Sequence, residues 1–309
     1  MTYEEFLNKR YKDCFRTDNN HIWGDWGLDC IYHMLDEHFF NKETNIVVTM
    51  EVTLVPRLKE KYPDNKIILY NLEHKYSIDG DRPYNCNQFW ADVYKNGVQL
   101  ADEIWDFNIE NFAYHKLIGA GDKFRFVPLR YTTWFEQYRQ DIIPSYDVEF
   151  EGNFDTPIRK HVLSTLCVDT PECNKITFKV ANTYNLETKL REKQDARFGF
   201  DFPHWDFPET FNAFRVYESI CINRQPIIFD PFGVTSKEYF KDLPIYIGYL
   251  SPQSIWDATR QEPRMDVAEK FKEMTYTDEA YEQYRRSIVE DFRQRTGVSV
   301  PDSVLAKIC

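Results

Sequence analysis

The sequence lacks the devices that staple small secreted or metal-bound domains. It has no CxxC pair, and its seven cysteines, at 14, 30, 86, 167, 173, 221 and 309, are scattered and odd in number. That spacing speaks against a disulfide framework and against a structural zinc site. Reduced thiols in a cytoplasm are the simple expectation. No run of 18 apolar residues occurs, so no membrane-spanning helix is expected. The opening MTYEEFLNKRYKDCF is charged, unlike a secretory leader. There is no short internal repeat, no low-complexity tract, no basic arm and no acidic tail. Asp79-Gly80-Asp81 reads as a turn rather than a metal-binding pair. A basic balance is also lacking: 50 acidic residues outnumber 38 basic ones, and the net charge of −12 repels nucleic acid and anionic membranes at long range. A local basic pocket for a phosphate remains compatible with that balance.

What is present is enough chain for two domains. The 309 residues exceed one ordinary core and suit two of roughly 150 each. Aromatics reach 17%, which implies large cores and some stacking surfaces for ring-shaped ligands. Short β-branched apolar runs alternate with amphipathic stretches along both halves. NIVVTM (45–50), KIILY (66–70), EIWD (103–106) and FRFVP (124–128) read as strands in the first half. DVEF (147–150), KITFKV (175–180), 196–200, PIIF (226–229) and PIYIGYL (244–250) read as strands in the second. Helices are expected between them, with a loop from His21 entering a helix near Leu28 to Phe39. Thr2 with Glu5 has the form of a capping box. A last long helix is capped by Thr277, ends at Gly297, and carries the stripe Tyr281, Tyr284, Ile288, Phe292. Strand–helix alternation predicts an α/β chain with parallel sheets, divided into 1–142 and 143–309.

Four segments, in order, resemble the two-Rossmann-domain (GT-B) glycosyltransferases of the group-1 type, known from bacteria and bacteriophages. They are IILYNLEHKY (67–76), LADEIWDFNIEN (100–111) with FRFVPLRY (124–131), DVEFEGNFDTPIRKHVLSTL (147–166) and FNAFRVYESICINRQPIIFD (211–230). Together they touch about half the chain. Asn223 and Arg130 stand where the family pattern has glycine, and no Gly-rich loop is visible near the start. The resemblance implies two Rossmann-like domains facing across a cleft. The first is acceptor-side and the second binds a nucleotide-diphosphate sugar, with a UDP-sugar the commonest choice. It implies no tightly bound cofactor and no metal.

The chemistry asks for a diphosphate cradle, cations and a carboxylate for the ribose. Gly152-Asn153, between a strand and a helix, suits phosphate binding by free N–H groups. Arg159, Lys189, Arg191 and Arg215 are the candidate phosphate partners, with Asn212 at the start of the Arg215 helix. The resemblance gives Glu218 the ribose hydroxyls. A second carboxylate eight residues earlier would fall on Thr210, with Glu209 one position off. Glu73, His74 and Asp25 are candidate general bases. His21, Trp23, Arg130 and Tyr131 are candidates for the acceptor.

That acceptor is a hydroxyl, of a saccharide or of a hydroxymethylated cytosine in phage DNA. The DNA reading has its own basis in Arg57, Lys59, Lys61, Arg125, Arg130 and Arg139 as a basic patch with Tyr131, Trp134 and Tyr138. Two other readings compete: a non-catalytic nucleotide-sugar or glycan binding module, and a nucleotide-binding epimerase relative.

Overall fold

The computed structural model describes residues 16–18, 21–23, 29–39, 46–72, 88–152, 157–166, 176–181, 186–202, 210–241, 243–247, 251–306 and 308. The expected capping box at Thr2 and the Asp79–Asp81 turn lie outside them. The chain divides into one unit of Met1–Leu129 with Arg285–Cys309, and a second of Arg130–Tyr284.

In the first unit β1 (Arg16–Asp18) and β2 (His21–Trp23) form an antiparallel pair where a loop was expected. After α1 (Asp29–His38) come β3 (Ile46–Thr49), α2 (Val55–Lys61), β4 (Lys66–Asn71), α3 (Gln88–Leu100), β5 (Glu103–Asp106), α4 (Asn111–Leu117) and β6 (Phe124–Phe126). β3 to β6 lie side by side in chain order, all parallel. The apolar run of β3 is buried at every position, as a strand covered on both faces requires. Pro56 opens α2 without losing a needed N–H. Val47, Leu54, Leu58, Ile67, Leu69, Val98 and Ile104 share one core. Asp102 fastens this core at its edge, accepting from Lys59 Nζ at 2.6 Å and from Ile67 N at 2.7 Å.

The C-terminal residues are held here as well. Arg285 Nε donates to Phe126 O at 2.8 Å, and Arg295 meets Glu110 at 2.6 Å. These bonds tie the tail to the first unit. The first unit stops at Leu129 and takes back the tail from Arg285.

The second unit holds β7 (Tyr146–Glu151), α5 (Pro157–Leu166), β8 (Phe178–Ala181), α6 (Leu186–Gln194), β9 (Ala196–Asp201), α7 (Ala213–Cys221), β10 (Gln225–Phe229), β11 (Ile245–Ile247), α8 (Pro252–Arg260) and α9 (Val267–Thr275), followed by the start of α10 (Asp278–Thr296). Its strands run in the order β11-β10-β9-β7-β8, and every pair is parallel. With β7 as the first strand this is the doubly wound order 2-1-3-4-5. The expected α/β class with two Rossmann-like parallel sheets is therefore what the chain adopts. Thr277 Oγ1 caps α10 through Ala280 N at 3.2 Å, and Gly297, at φ 70°, ends it as expected. α8 and α9 were not anticipated. Ser251 and Ser254 cap α8 reciprocally, a serine version of the capping box.

Asn223, in the place of a family glycine, takes a left-handed φ of 66°. Asn enters this region more readily than most non-glycine residues. Here Asn223 Nδ2 donates to Met265 O, and Oδ1 accepts from Ala268 N at 3.3 Å.

α7 lies so close to β9 that a Cβ on Gly199 would stand 2.4 Å from Ser219 Oγ. Gly199→Ala should cost about 1–3 kcal/mol through overpacking. Combining it with Ser219→Ala should recover part of that loss in a denaturant cycle. Simple additivity of the two substitutions would show that the contact does not limit packing.

Candidate functional site at the carboxyl edge of the second sheet

In open parallel sheets ligands bind beyond the carboxyl ends of the strands, where the winding reverses. In the second sheet the reversal falls between β7, flanked on its other side by β8, and β9, flanked by β10. β7 runs out into Gly152 and β9 ends at Asp201-Phe202.

Gly152 has φ 142°, and a Cβ there would lie 2.7 Å from Arg215 Nη2 and 2.9 Å from Phe150 Cζ. Only glycine fits this close approach. Phe150 stacks on Phe202 with ring centres 4.0 Å apart. Two guanidiniums lie over this pair: Arg159, 5.3 Å from Phe150, and Arg215, 4.8 Å from it. Arg215 also pairs with Asp201 at 3.3 Å. Asp201 accepts from Asn212 N at 2.7 Å, which fixes the entry of α7, and Asn212 Oδ1 caps Arg215 N at 3.2 Å. Burial pushes the Asp201 carboxyl up against the pull of Arg215. Gly152, Arg159, Asn212 and Arg215, four of the residues singled out from the sequence, are thus brought together.

Glu149 and Glu151 alternate with the buried Val148 and Phe150 along β7, so they share the opposite face. There they meet Lys189 and Lys193, one turn apart on α6, and Glu218 on α7. Lys189 Nζ lies 2.7 Å from Glu218 Oε1 and 3.5 Å from Glu151. Lys193 Nζ lies 3.1 Å from Glu151, 3.7 Å from Glu218 and 3.8 Å from Glu149. Several of these contacts are ionic rather than aligned hydrogen bonds. Glu149, Lys193 and Glu218 are buried at 1%, 2% and 0% side-chain exposure, while Lys189 and Glu151 form the rim at 10% and 21%. Burial draws the Lys189 pKa down, but Glu218 and Glu151 outweigh it and hold it above the ordinary lysine value. Burial raises Glu149, whereas for Glu151 the two lysines win and lower it.

Glu218 is therefore buried and ion-paired, where the resemblance expected a carboxylate open to ribose. Thr210 is buried too. Arg191, two residues from each lysine, lies on the exposed side of α6. Sequence reading missed Glu149, Glu151, Lys193 and Asp201. The signal for the lysine was its i, i+4 spacing from Lys189.

Arg130 and Tyr131, expected on the acceptor side, belong to the second unit, where they clamp its last helices. Arg130 donates to Thr275 O at 2.8 Å and pairs with Asp278 at 2.8 Å. Tyr131 N donates to Thr275 Oγ1 at 2.9 Å, and its ring is fully buried. His21 and Trp23 lie in β2. Asp25, Glu73, His74 and Asn153 fall outside the described residues.

In the first unit, Asn71 and Asp106, ending neighbouring strands β4 and β5, join at 2.7 Å. Asp106 also accepts from Asn108 N and Asn111 Nδ2. Burial raises its carboxyl well above the usual range. His115 Nδ1 is bonded to Asn111 O, and its Nε2 faces Tyr94 OH at 2.9 Å.

The basic patch imagined for DNA is divided between the units. Four of its six members sit against acids: Lys59 on Asp102, Arg125 on Glu103, Arg130 on Asp278 and Arg139 on Glu269. Among the described residues no group of three or more His, Cys, Asp or Glu could hold a metal ion, and no helix is long and apolar enough to cross a membrane.

No family model matches the chain, and no curated protein matches it. Among solved structures the chain is similar to a sucrose-phosphate synthase from Thermosynechococcus elongatus, at 10% identity over 82% of this chain and 74% of that one, with a TM-score of 0.47.

Proposed function

We propose that this chain is a glycosyltransferase that binds a nucleotide-diphosphate sugar, a UDP-sugar in the first instance, at the carboxyl edge of the second sheet. The observation that carries the reading is the convergence of Gly152, Arg159, Asn212 and Arg215 where the winding reverses between β7 and β9. The sequence resemblance supports the same assignment. In such a transfer the bond from the sugar to the diphosphate breaks, and a bond to the acceptor oxygen forms. The acceptor proton passes to a base, for which Glu73, His74 and Asp25 are the candidates. Arg159, Arg215 and the rim lysine Lys189 would meet the charge gathering on the leaving diphosphate. His21 and Trp23 remain the acceptor-side candidates. The pairing of the surface cations with acids favours a saccharide hydroxyl over a base in DNA.

The test is a thermal-shift screen against UDP, GDP, CDP and TDP. A ligand at about 100 times its Kd stabilises by about 2.7 kcal/mol. One nucleotide should raise Tm, and Arg215→Ala should lose that shift. No shift with any of the four would refute the donor site. The burial of Glu218 favours a second reading, a non-catalytic binding module. Turnover of the nucleotide-sugar would exclude that module.

A further inference from the structure

A lysine stands between Glu218 and the place proposed for the diphosphate. Glu218 follows Arg215 by three residues on α7, so it lies on the same helix face, one turn further from the strand ends. Its side chain is 0% exposed, and both carboxylate oxygens are covered. Lys189 Nζ is 2.7 Å from one of them, and 10% of that lysine side chain is exposed. The same ammonium is 3.5 Å from Glu151, the residue before Gly152. The order from the strand end inward is therefore Gly152 and Glu151, then Lys189, then Glu218. A diphosphate cradled at Gly152 meets the ammonium before it meets the carboxylate.

Lys189 is also free to change partners. Lys193, one turn deeper on α6 and 2% exposed, has its Nζ 3.7 Å from the other oxygen of Glu218. Glu218 keeps a cation beside it when Lys189 turns away. The lysine head is a compact charge with three donors on a flexible stem, so a small rotation carries it from carboxylate to phosphate.

We infer that Glu218 is an internal anion that competes with the nucleoside diphosphate for Lys189, and that it takes no part in holding the ribose. This rests on the donor site proposed above. The attraction of Lys189 for an arriving phosphate is offset by the loss of its contact with Glu218, so the complex is looser than a freely available lysine would make it. When the sugar has been transferred, the carboxylate takes the ammonium back, which favours departure of the nucleoside diphosphate. Glu218 is thus a positioning residue that acts through Lys189.

Isothermal titration with UDP decides between this role and the ribose role by the sign of one change. Replacing a ribose ligand by Gln would weaken binding. If Glu218 competes for Lys189, Glu218→Gln should instead bind UDP at least about threefold more tightly, as expected when one unit charge is removed beside an anion site. Glu218→Asp keeps the charge but draws it back from Lys189, so it should tighten binding in the same direction and by less. That variant decides the matter if Glu218→Gln does not fold. UDP lacking either ribose hydroxyl supplies the second readout: its affinity relative to UDP should be the same in the wild type and in both variants. Unchanged or weaker UDP binding in the variants overturns the inference and leaves the donor site intact, as does their loss of discrimination between UDP and its deoxy forms. Binding of GDP or CDP in place of UDP moves the same comparison to that nucleotide. Absence of binding heat with all of UDP, GDP, CDP and TDP overturns the donor site, and the inference with it.

Discussion

Lys193→Met should destabilise the protein by about 3–5 kcal/mol, the range for a buried charge cluster that loses one partner. For a unit of this size that is a fall in Tm of roughly 10 °C or more. The reason is the charge count. Of the two ammoniums Glu149, Glu151 and Glu218 would then keep Lys189 alone, and Glu149 would lose the lysine that stands 3.8 Å from it. The loss should depend on pH with a definite sign. Removing Lys193 raises the folded-state pKa values of these carboxyls. A raised carboxyl contributes stability that is full below its unfolded pKa and is lost as pH rises through the folded value. The gap between wild type and variant should therefore be small near about pH 5 and widest at neutral pH and above. Glu218→Gln should cost much less, because it leaves two carboxylates against two ammoniums. Urea unfolding of the three proteins at acid and neutral pH measures all of this. A Lys193→Met loss below about 1 kcal/mol at neutral pH would mean that the cluster is solvated.

Gly152→Ala should remove nucleotide binding, lowering affinity by at least about tenfold, or 1.4 kcal/mol. At φ 142° an alanine is strained by about 1–3 kcal/mol before any contact is counted. Its Cβ would then fall 2.9 Å from Phe150 Cζ and 2.7 Å from Arg215 Nη2. The ring is pinned by its stack on Phe202, so the guanidinium must yield, and Arg215 leaves Asp201. Gly297→Ala is the control. Its φ of 70° imposes comparable backbone strain, but nothing lies within 4 Å of the added carbon. It should lower Tm without touching nucleotide affinity. Equal effects of the two substitutions on affinity would mean that Gly152 acts only through stability.

Much of the fold was legible because apolar β-branched runs are hard to place anywhere but in a parallel sheet. NIVVTM, KIILY and PIIF each became strands within a residue or two of the expected bounds. What stayed hidden depended on partners distant in sequence. The acids of β7 alternate with Val148 and Phe150, a pattern that equally describes one solvated face. Nothing local says that α6, some forty residues on, lays Lys189 and Lys193 over that face. The return of the tail was hidden for a similar reason, since Arg285 reaches back to Phe126. β1 and β2, at three residues each, are too short to carry a period. Of the candidate site, the placement of Gly152, Arg159, Asn212 and Arg215 was readable because a strand–glycine–helix passage and a capped helix are local features. Asp201 was not, since its role is to receive Asn212 and Arg215 from another segment.

The most direct test is amide hydrogen exchange with and without the nucleoside diphosphate that stabilises the protein. The account predicts slowed exchange at Glu151-Gly152, at Asp201-Phe202 and at the first turns of α5 and α7, all within the second unit. Protection confined to the first unit, with these strand ends unchanged, would contradict it.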